Sequence, residues 1–122
     1  MKILVVDDHR DSADSLSNLL QAHGHETAIA YDGRQALEVF RQFGPEAVVL
    51  DIDMPVLDGY GTARAIRLAP CDRLPVLLAL TALGGHDARR LAFEAGFDAH
   101  LTKPAHVDAL LALMARLRDE RG

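Results

Sequence analysis

The strongest constraint on the fold of this chain is the alternation of five short apolar runs with five longer amphipathic stretches. Three of the runs, at residues 3–6, 47–50 and 76–80, are continuously apolar. Continuous runs of this length are typical of strands that are covered on both faces. With the two weaker runs included, the predicted strands are residues 2–6, 26–30, 47–50, 76–80 and 99–101.

The stretches between these runs carry apolar residues at three- and four-residue spacing, which indicates amphipathic helices. The predicted helices are residues 12–22, 34–43, 58–68, 86–95 and 107–117. Gly24, Gly44 and Gly96 each follow a predicted helix, and glycine commonly ends a helix because it adopts the left-handed conformation without strain. Asp32 and Gly33 mark the turn into the second helix.

Strand and helix therefore alternate five times within 122 residues. This alternation predicts an α/β fold of the (βα)5 type, a doubly wound five-stranded parallel sheet with helices on both faces. The length suits a single domain that spans residues 1–122. Ligands of such sheets bind outside the carboxyl ends of the strands. Functional residues are therefore expected directly after the strands.

Composition narrows the class of protein. Hydrophobic residues make up 49% and the net charge is −5, which fits a globular chain and argues against direct nucleic-acid binding. Cys71 is the single cysteine, so no intrachain disulfide can form. No apolar run approaches the roughly 18 residues of a membrane span, and no signal peptide is recognisable. We therefore expect a reduced, cytoplasmic protein without membrane association.

Polar residues follow four of the five predicted strands. Parallel strands bring these loops to one edge of the sheet, so three carboxylates, a hydroxyl and an ammonium group are expected to converge there. The three carboxylates are Asp7 and Asp8 after the first strand and Asp51 after the third, and Asp53 follows two residues later. The hydroxyl is that of Thr81 after the fourth strand, and the ammonium group is that of Lys103 after the fifth.

The carboxylates of Asp7, Asp8 and Asp51 would repel one another unless a cation lies between them. Oxygen ligands in an open site suit Mg²⁺, with Mn²⁺ as a substitute. Asp51 can then act as a nucleophile that forms an aspartyl phosphate. Lys103 would supply positive charge, and Thr81 would donate a hydrogen bond to a phosphoryl oxygen.

Several of these residue types have ordinary structural explanations when they stand alone. Asp58, before Gly59, is expected to cap the third helix. Asp11 and Asp14 are expected on a solvated helix face, and an isolated lysine such as Lys103 would usually lie on the surface. The six histidines show no spacing typical of a zinc site.

Four segments together resemble the receiver domain of two-component response regulators. They are LVVDD at 4–8, LDIDMPVLDG at 50–59, ALTA at 79–82 and LTKP at 101–104. The resemblance covers nearly the whole chain and implies a flavodoxin-like fold with strand order 2-1-3-4-5. It implies no catalytic turnover beyond self-catalysed phosphotransfer and autodephosphorylation.

The resemblance also implies a role for each residue of the cluster. Asp51 is the expected phosphoacceptor. Asp8 would bind Mg²⁺ directly, Asp7 would bind it through water, and the backbone carbonyl of Asp53 would complete the protein ligands. Thr81 would be the switch hydroxyl, and Lys103 would bind the phosphoryl group. The peptide bond between Lys103 and Pro104 is expected to be cis.

Two positions depart from the usual pattern of the family. His100 stands where receivers usually have Tyr or Phe, and it is expected either to change rotamer on activation or to be an exposed strand residue without a switch role. Asp53 and Leu83 occupy positions that modulate the lifetime of the phosphate in this family. Leu83 offers no hydrogen bond to an attacking water, so Leu83→Gln or Leu83→Glu is expected to shorten that lifetime.

The resemblance further implies partners. A sensor histidine kinase or a histidine phosphotransfer protein would donate the phosphoryl group, and the face of helix 4, strand 5 and helix 5 would bind partners or a second copy of the chain. The sequence leaves open whether the domain stands alone or belongs to a longer regulator or hybrid kinase.

Three other functions were weighed against phosphotransfer signalling. Asp51 and Asp53 form the Asp-x-Asp pair of haloacid-dehalogenase-type phosphatases, but they lie on the third strand, and no second acidic motif follows Lys103. A flavodoxin would need a glycine- and hydroxyl-rich phosphate loop where this chain has Asp7 and Asp8. A degenerate receiver would lack some of the core residues that are present here.

Overall fold

The computed structural model describes residues 1–52, 59–69, 74–81, 86–103 and 106–121. Four predictions concern residues outside these ranges: the roles of Asp53 and Leu83, the helix cap at Asp58 and the peptide bond before Pro104.

The five strands form one parallel sheet in the order β2-β1-β3-β4-β5. Their bounds are β1 (Lys2–Val6), β2 (Glu26–Ala30), β3 (Ala47–Asp51), β4 (Val76–Thr81) and β5 (Ala99–Thr102). The predicted fold class and strand order are therefore confirmed. Strands β3, β4 and β5 each extend one residue beyond the prediction, because the backbone pairing of Asp51 with Leu80 and of Thr81 with Thr102 continues the ladder.

Five helices cover the two faces of the sheet. They are α1 (Arg10–Ala22), α2 (Gly33–Phe43), α3 (Gly59–Leu68), α4 (His86–Ala95) and α5 (Val107–Arg121). Helix α1 begins two residues before the predicted start, because the first intrahelical bond runs from the amide of Ala13 to the carbonyl of His9. Helix α5 continues to Arg121, four residues beyond its predicted end at residue 117.

The helix boundaries follow the local signals in the sequence. Asp32 caps α2, since its carboxylate accepts a 2.8 Å hydrogen bond from the amide of Gln35. Gly44 ends the same helix in the left-handed conformation at φ 63°. Asp11 and Asp14 are exposed on α1, as predicted.

Alternation of side chains along the strands divides the core into two clusters. Leu4, Val48 and Leu77 point to one face, where they pack with α2, α3 and α4. Their neighbours Val49 and Leu78 point to the opposite face, where they pack with α1 and α5. The sheet is therefore covered on both sides, as the continuous apolar runs predict.

A partly buried ion pair joins several elements at the edge of the sheet opposite the carboxyl ends of the strands. Arg67 of α3 donates hydrogen bonds of 2.9 Å to the carbonyls of Gly96 and Pro75 and to the Asp98 carboxylate. The same Asp98 oxygen accepts a 2.8 Å bond from the amide of Leu77. We refer to these five residues as the Arg67 clasp. It connects α3 and the start of β4 to the turn between α4 and β5.

No helix in the described part of the chain is both long enough and apolar enough to cross a lipid bilayer.

Candidate functional site

The ends of the two central strands bring the acidic residues together. Asp7 follows β1, and its amide continues the pairing of that strand by donating to the carbonyl of Ala30 at 3.1 Å. Asp51 is the last residue of β3, and only 2% of it is exposed. Asp8 is partly buried beside them. Ligand atoms of these three carboxylates lie within 4.8 Å of one another, as the sequence predicts.

The electrostatics of Asp7 reflect this crowding. Burial raises the pKa of the Asp7 carboxyl above its ordinary value, and the neighbouring Asp51 carboxylate raises it further. A hydrogen bond from the amide of His9 and the positive charge of Lys103 act in the opposite direction. The net effect disfavours the charged form of Asp7, which is the expected behaviour of an acidic cluster without a cation.

Lys103 lies directly after β5 and reaches the buried carboxylate of β3. Its ammonium nitrogen is 3.1 Å from Oδ2 of Asp51. The position of Lys103 is fixed by its own backbone, whose amide donates a 2.8 Å bond to the carbonyl of Thr81. Thr81 is the last residue of β4 and is buried. The two strand ends therefore hold the ammonium group and the hydroxyl-bearing residue at the same edge as the acids.

His9 belongs to the same cluster, which the sequence reasoning did not predict. Its Nδ1 atom lies 3.4 Å from Oδ1 of Asp8 and 3.7 Å from Oδ1 of Asp7. Its backbone amide donates a 2.9 Å bond to the Asp7 carboxylate. A signal was available, because His9 directly follows the two acids at the carboxyl end of β1, but histidines were judged only by their spacing from one another.

The site has the chemistry of a divalent-cation site. Oδ1 of Asp8 is buried and accepts no hydrogen bond from the described residues. A buried carboxylate oxygen without a donor is costly, and a cation would satisfy it. With Asp7 and Asp51 beside it, this oxygen offers the hard donors that Mg²⁺ and Mn²⁺ prefer. The residues present therefore fit the expected metal.

His100 lies on β5 opposite Ala79 of β4 and is partly buried. Its strand neighbours Ala99 and Leu101 pack against the α1 and α5 side of the sheet. Since side chains alternate along a strand, His100 belongs to the other face, on which α4 lies. Ala79 precedes Thr81 by two residues on that same face. His100 is therefore not fully exposed, and its role as a switch stays a prediction.

The sequence from residue 3 to residue 115 matches the family model of the response regulator receiver domain. Among curated proteins, the chain is similar to the response regulator MprA of Mycolicibacterium vanbaalenii, with 42% identity over 117 residues. That match covers 96% of this chain and 50% of MprA. The chain thus spans about half the length of the curated relatives it matches.

Two solved structures have the same fold as this chain. The receiver domain of the sensor histidine kinase PA1611 from Pseudomonas aeruginosa has a magnesium ion coordinated in its active-site cleft, and it matches with a TM-score of 0.86, 29% identity and 97% of both chains covered. The receiver domain of the response regulator Ssk1 from Saccharomyces cerevisiae, solved with the histidine phosphotransfer protein Ypd1, matches with a TM-score of 0.85 and 25% identity, covering 94% of this chain and 86% of that one.

Proposed function

Because the chain belongs to the receiver domain family of response regulators, we propose that it accepts a phosphoryl group on Asp51 and passes the signal on by a change of conformation. The observation that carries this proposal is the 3.1 Å contact between the Lys103 ammonium and the Asp51 carboxylate within an acidic cluster. These groups would supply a nucleophile, a countercharge and donors for a cation at one edge of the sheet.

The phosphoryl transfer is a displacement at phosphorus. A carboxylate oxygen of Asp51 forms the new bond to phosphorus, and the bond between phosphorus and the donor's imidazole nitrogen breaks, so that the imidazole leaves with the electron pair. Catalysis of such a transfer requires mainly positioning and compensation of charge. Lys103 supplies a positive charge to a phosphoryl oxygen, and Thr81 is the expected hydroxyl donor to another.

Asp8 and Asp7 are the residues that would hold Mg²⁺, together with Asp51 and, by resemblance to the family, the backbone carbonyl of Asp53. The ion would neutralise part of the charge on the incoming phosphoryl group. Two observations support this assignment: the buried Oδ1 of Asp8, which accepts no hydrogen bond from the described residues, and the magnesium ion of the PA1611 receiver. The cluster itself raises the pKa of Asp7, and a bound cation would offset that repulsion.

The donor is a phosphohistidine on a sensor kinase or a histidine phosphotransfer protein. The Ssk1 receiver, which has this fold, was solved with such a phosphotransfer protein. Residues 1–122 then form one receiver domain, and phosphorylation alters the face of α4, β5 and α5 for binding a partner or a second copy of the chain. Thr81 and His100 are the residues proposed to connect the phosphoryl group to that face.

Mass spectrometry after incubation with acetyl phosphate and Mg²⁺ tests the proposal. One phosphoryl group is expected on the wild-type chain and none on Asp51→Asn. Asp11→Asn, which changes an exposed acid of α1, is the matched control and should be phosphorylated like the wild type. A phosphoryl group that persists on Asp51→Asn, or multiple turnover of p-nitrophenyl phosphate at Asp51, would contradict the assignment.

A further inference from the structure

His9 places an imidazole nitrogen against the acidic cluster. A ring nitrogen of His9 and one carboxylate oxygen from each of Asp7, Asp8 and Asp51 form a group whose members all lie within 4.8 Å of one another. The three acids offer only oxygen ligands. His9 therefore adds a nitrogen as a fourth potential ligand. The ring is 75% exposed, so little desolvation opposes its movement towards a bound ion.

Helix capping does not explain the presence of His9. The residue occupies the N-cap position of α1 in an extended conformation, but its side chain makes no capping hydrogen bond. Ser, Thr, Asp and Asn are favoured at this position because their oxygens accept from the first amides of the helix. The imidazole is turned towards Asp7 and Asp8 instead.

The chemical consequence concerns which cation the site prefers. Imidazole is a borderline ligand that binds Co²⁺, Ni²⁺ and Zn²⁺ well, whereas Mg²⁺ prefers oxygen and retains its water. Adding one imidazole to three carboxylates therefore strengthens binding of the later transition ions much more than binding of Mg²⁺. His23 offers a comparison, since its Nε2 atom lies 3.4 Å from the exposed carboxylate of Asp108 and belongs to no acidic cluster among the residues that the structure describes.

We infer that His9 is a further metal ligand, which makes this receiver site selective for borderline divalent transition ions over Mg²⁺. The inference rests on the metal site of the proposed function and adds a residue that determines its specificity. In a cell that supplies such ions, the site would be loaded with them at concentrations far below those at which Mg²⁺ binds.

Isothermal titration with Mg²⁺, Co²⁺ and Ni²⁺ tests the inference on four proteins: the wild type, His9→Ala, His9→Asn and His23→Ala. Both His9 variants should bind Co²⁺ and Ni²⁺ at least about tenfold more weakly than the wild type, while their Mg²⁺ affinity changes less than about twofold. His23→Ala should match the wild type for all three ions. His9→Asn keeps a residue favoured at an N-cap, so a loss in both variants cannot be attributed to the helix start.

Proton NMR of the Co²⁺-loaded protein gives an independent readout. The ring protons of His9 should be strongly shifted by the paramagnetic ion, and those of His23 should not. Equal weakening of Mg²⁺ and Co²⁺ in the His9 variants, unchanged Co²⁺ affinity, or an equal loss in His23→Ala would each overturn the inference.

Asp8→Asn separates this inference from the proposed function. If Asp8→Asn retains full Mg²⁺ affinity, the metal site itself is wrongly assigned. If Asp8→Asn loses Mg²⁺ while the His9 variants keep Co²⁺, only the role of His9 is wrong.

Discussion

The ammonium group of Lys103 lies 3.1 Å from Oδ2 of Asp51, and the two side chains differ sharply in exposure, at 32% for the lysine and 2% for the aspartate. The ammonium group of Lys103 is thus partly solvated, while the carboxylate that it contacts is almost fully buried. In the resting protein it compensates the negative charge of Asp51. In the proposed transfer, the same ammonium would compensate a phosphoryl oxygen, which a mobile point charge can do without a fixed geometry.

Lys103→Ala should therefore slow phosphorylation of Asp51 by acetyl phosphate on the order of 10²-fold, the typical cost of removing one electrostatic donor from a transition state. The phosphorylation rate of Lys103→Arg should lie between those of the wild type and Lys103→Ala, because arginine keeps the charge but replaces the compact ammonium with a planar group. The rate can be followed by mass spectrometry. Lys2→Ala, which removes an exposed lysine paired with Glu26, is the control and should react like the wild type. An unchanged rate in Lys103→Ala would contradict the role of the lysine.

Asp7→Asn should stabilise the protein when divalent cations are removed by a chelator. The pKa of Asp7 is raised in the folded state, so its negative charge destabilises the fold at neutral pH, and the amide removes that charge. We expect the melting temperature at neutral pH to rise by roughly 2–6 °C.

The pH dependence of this difference has a fixed sign. The advantage of Asp7→Asn is fully present above the raised pKa of the folded state. It shrinks as the pH falls through that pKa and vanishes below the ordinary value of 3.8, where Asp7 is protonated in both states. Thermal melts of both proteins across this range provide the check. A lower melting temperature for the variant at neutral pH would refute the argument.

Gly59 should not tolerate a side chain. A Cβ atom at this position would collide with the backbone of Ile52, directly after β3. Gly59→Ala is therefore expected to cost about 3 kcal/mol or more in the free energy of unfolding. Gly44→Ala is the comparison, because Gly44 has a positive φ of 63° but open space around its Cα. Gly44→Ala should lower the free energy of unfolding by only about 1–2 kcal/mol, because only the left-handed conformation opposes the new side chain. Urea denaturation measures the free energy of unfolding of both variants, and an equal loss in Gly59→Ala and Gly44→Ala would contradict the predicted collision.

The fold could be predicted from the sequence because its signals are local. Continuous apolar runs and glycines after helices mark elements without reference to distant residues. The convergence of Asp51, Thr81 and Lys103 followed from the rule that parallel strands share one carboxyl edge. Contacts between side chains of different helices and strands could not be predicted from these local signals. Arg67 falls within the predicted third helix, but nothing in its spacing identifies Asp98 as its partner. His9 was overlooked because its orientation towards Asp7 and Asp8 depends on how the first turn of α1 leaves β1.

His100 should respond to activation. It lies on the α4 face of the sheet, across from Ala79 and two residues along from the position opposite Thr81. Side-chain NMR signals of His100 are expected to shift when beryllofluoride, a mimic of the phosphoryl group, is added with Mg²⁺. His25, whose Nδ1 atom lies 3.2 Å from the amino terminus at the far edge of the sheet, should keep its signals. Unchanged His100 signals would show that this residue takes no part in the switch.

Arg67→Ala should be strongly destabilising. Both members of the pair with Asp98 are mostly buried, at 19% and 18% exposure, and the substitution also removes the donors to the carbonyls of Gly96 and Pro75. Removing one partner of a buried pair typically costs about 3–5 kcal/mol. Glu26→Gln breaks the exposed pair with Lys2 and should cost less than about 1 kcal/mol. Chemical denaturation of both variants provides the comparison, and similar costs would argue against the Arg67 clasp.

The Arg67 clasp also constrains α4. The helix ends at Ala95, directly before Gly96 of the clasp, and β5 runs from the clasp towards Lys103. The carboxyl end of α4 is therefore tied to α3 and to the start of β4. If phosphorylation displaces Thr81 or Lys103, as proposed, we expect α4 to tilt about this end rather than to translate as a whole. The ten residues of α4 span about 15 Å. A tilt about the carboxyl end would therefore displace the first turn of the helix most. A partner that distinguishes the two states should contact this first turn.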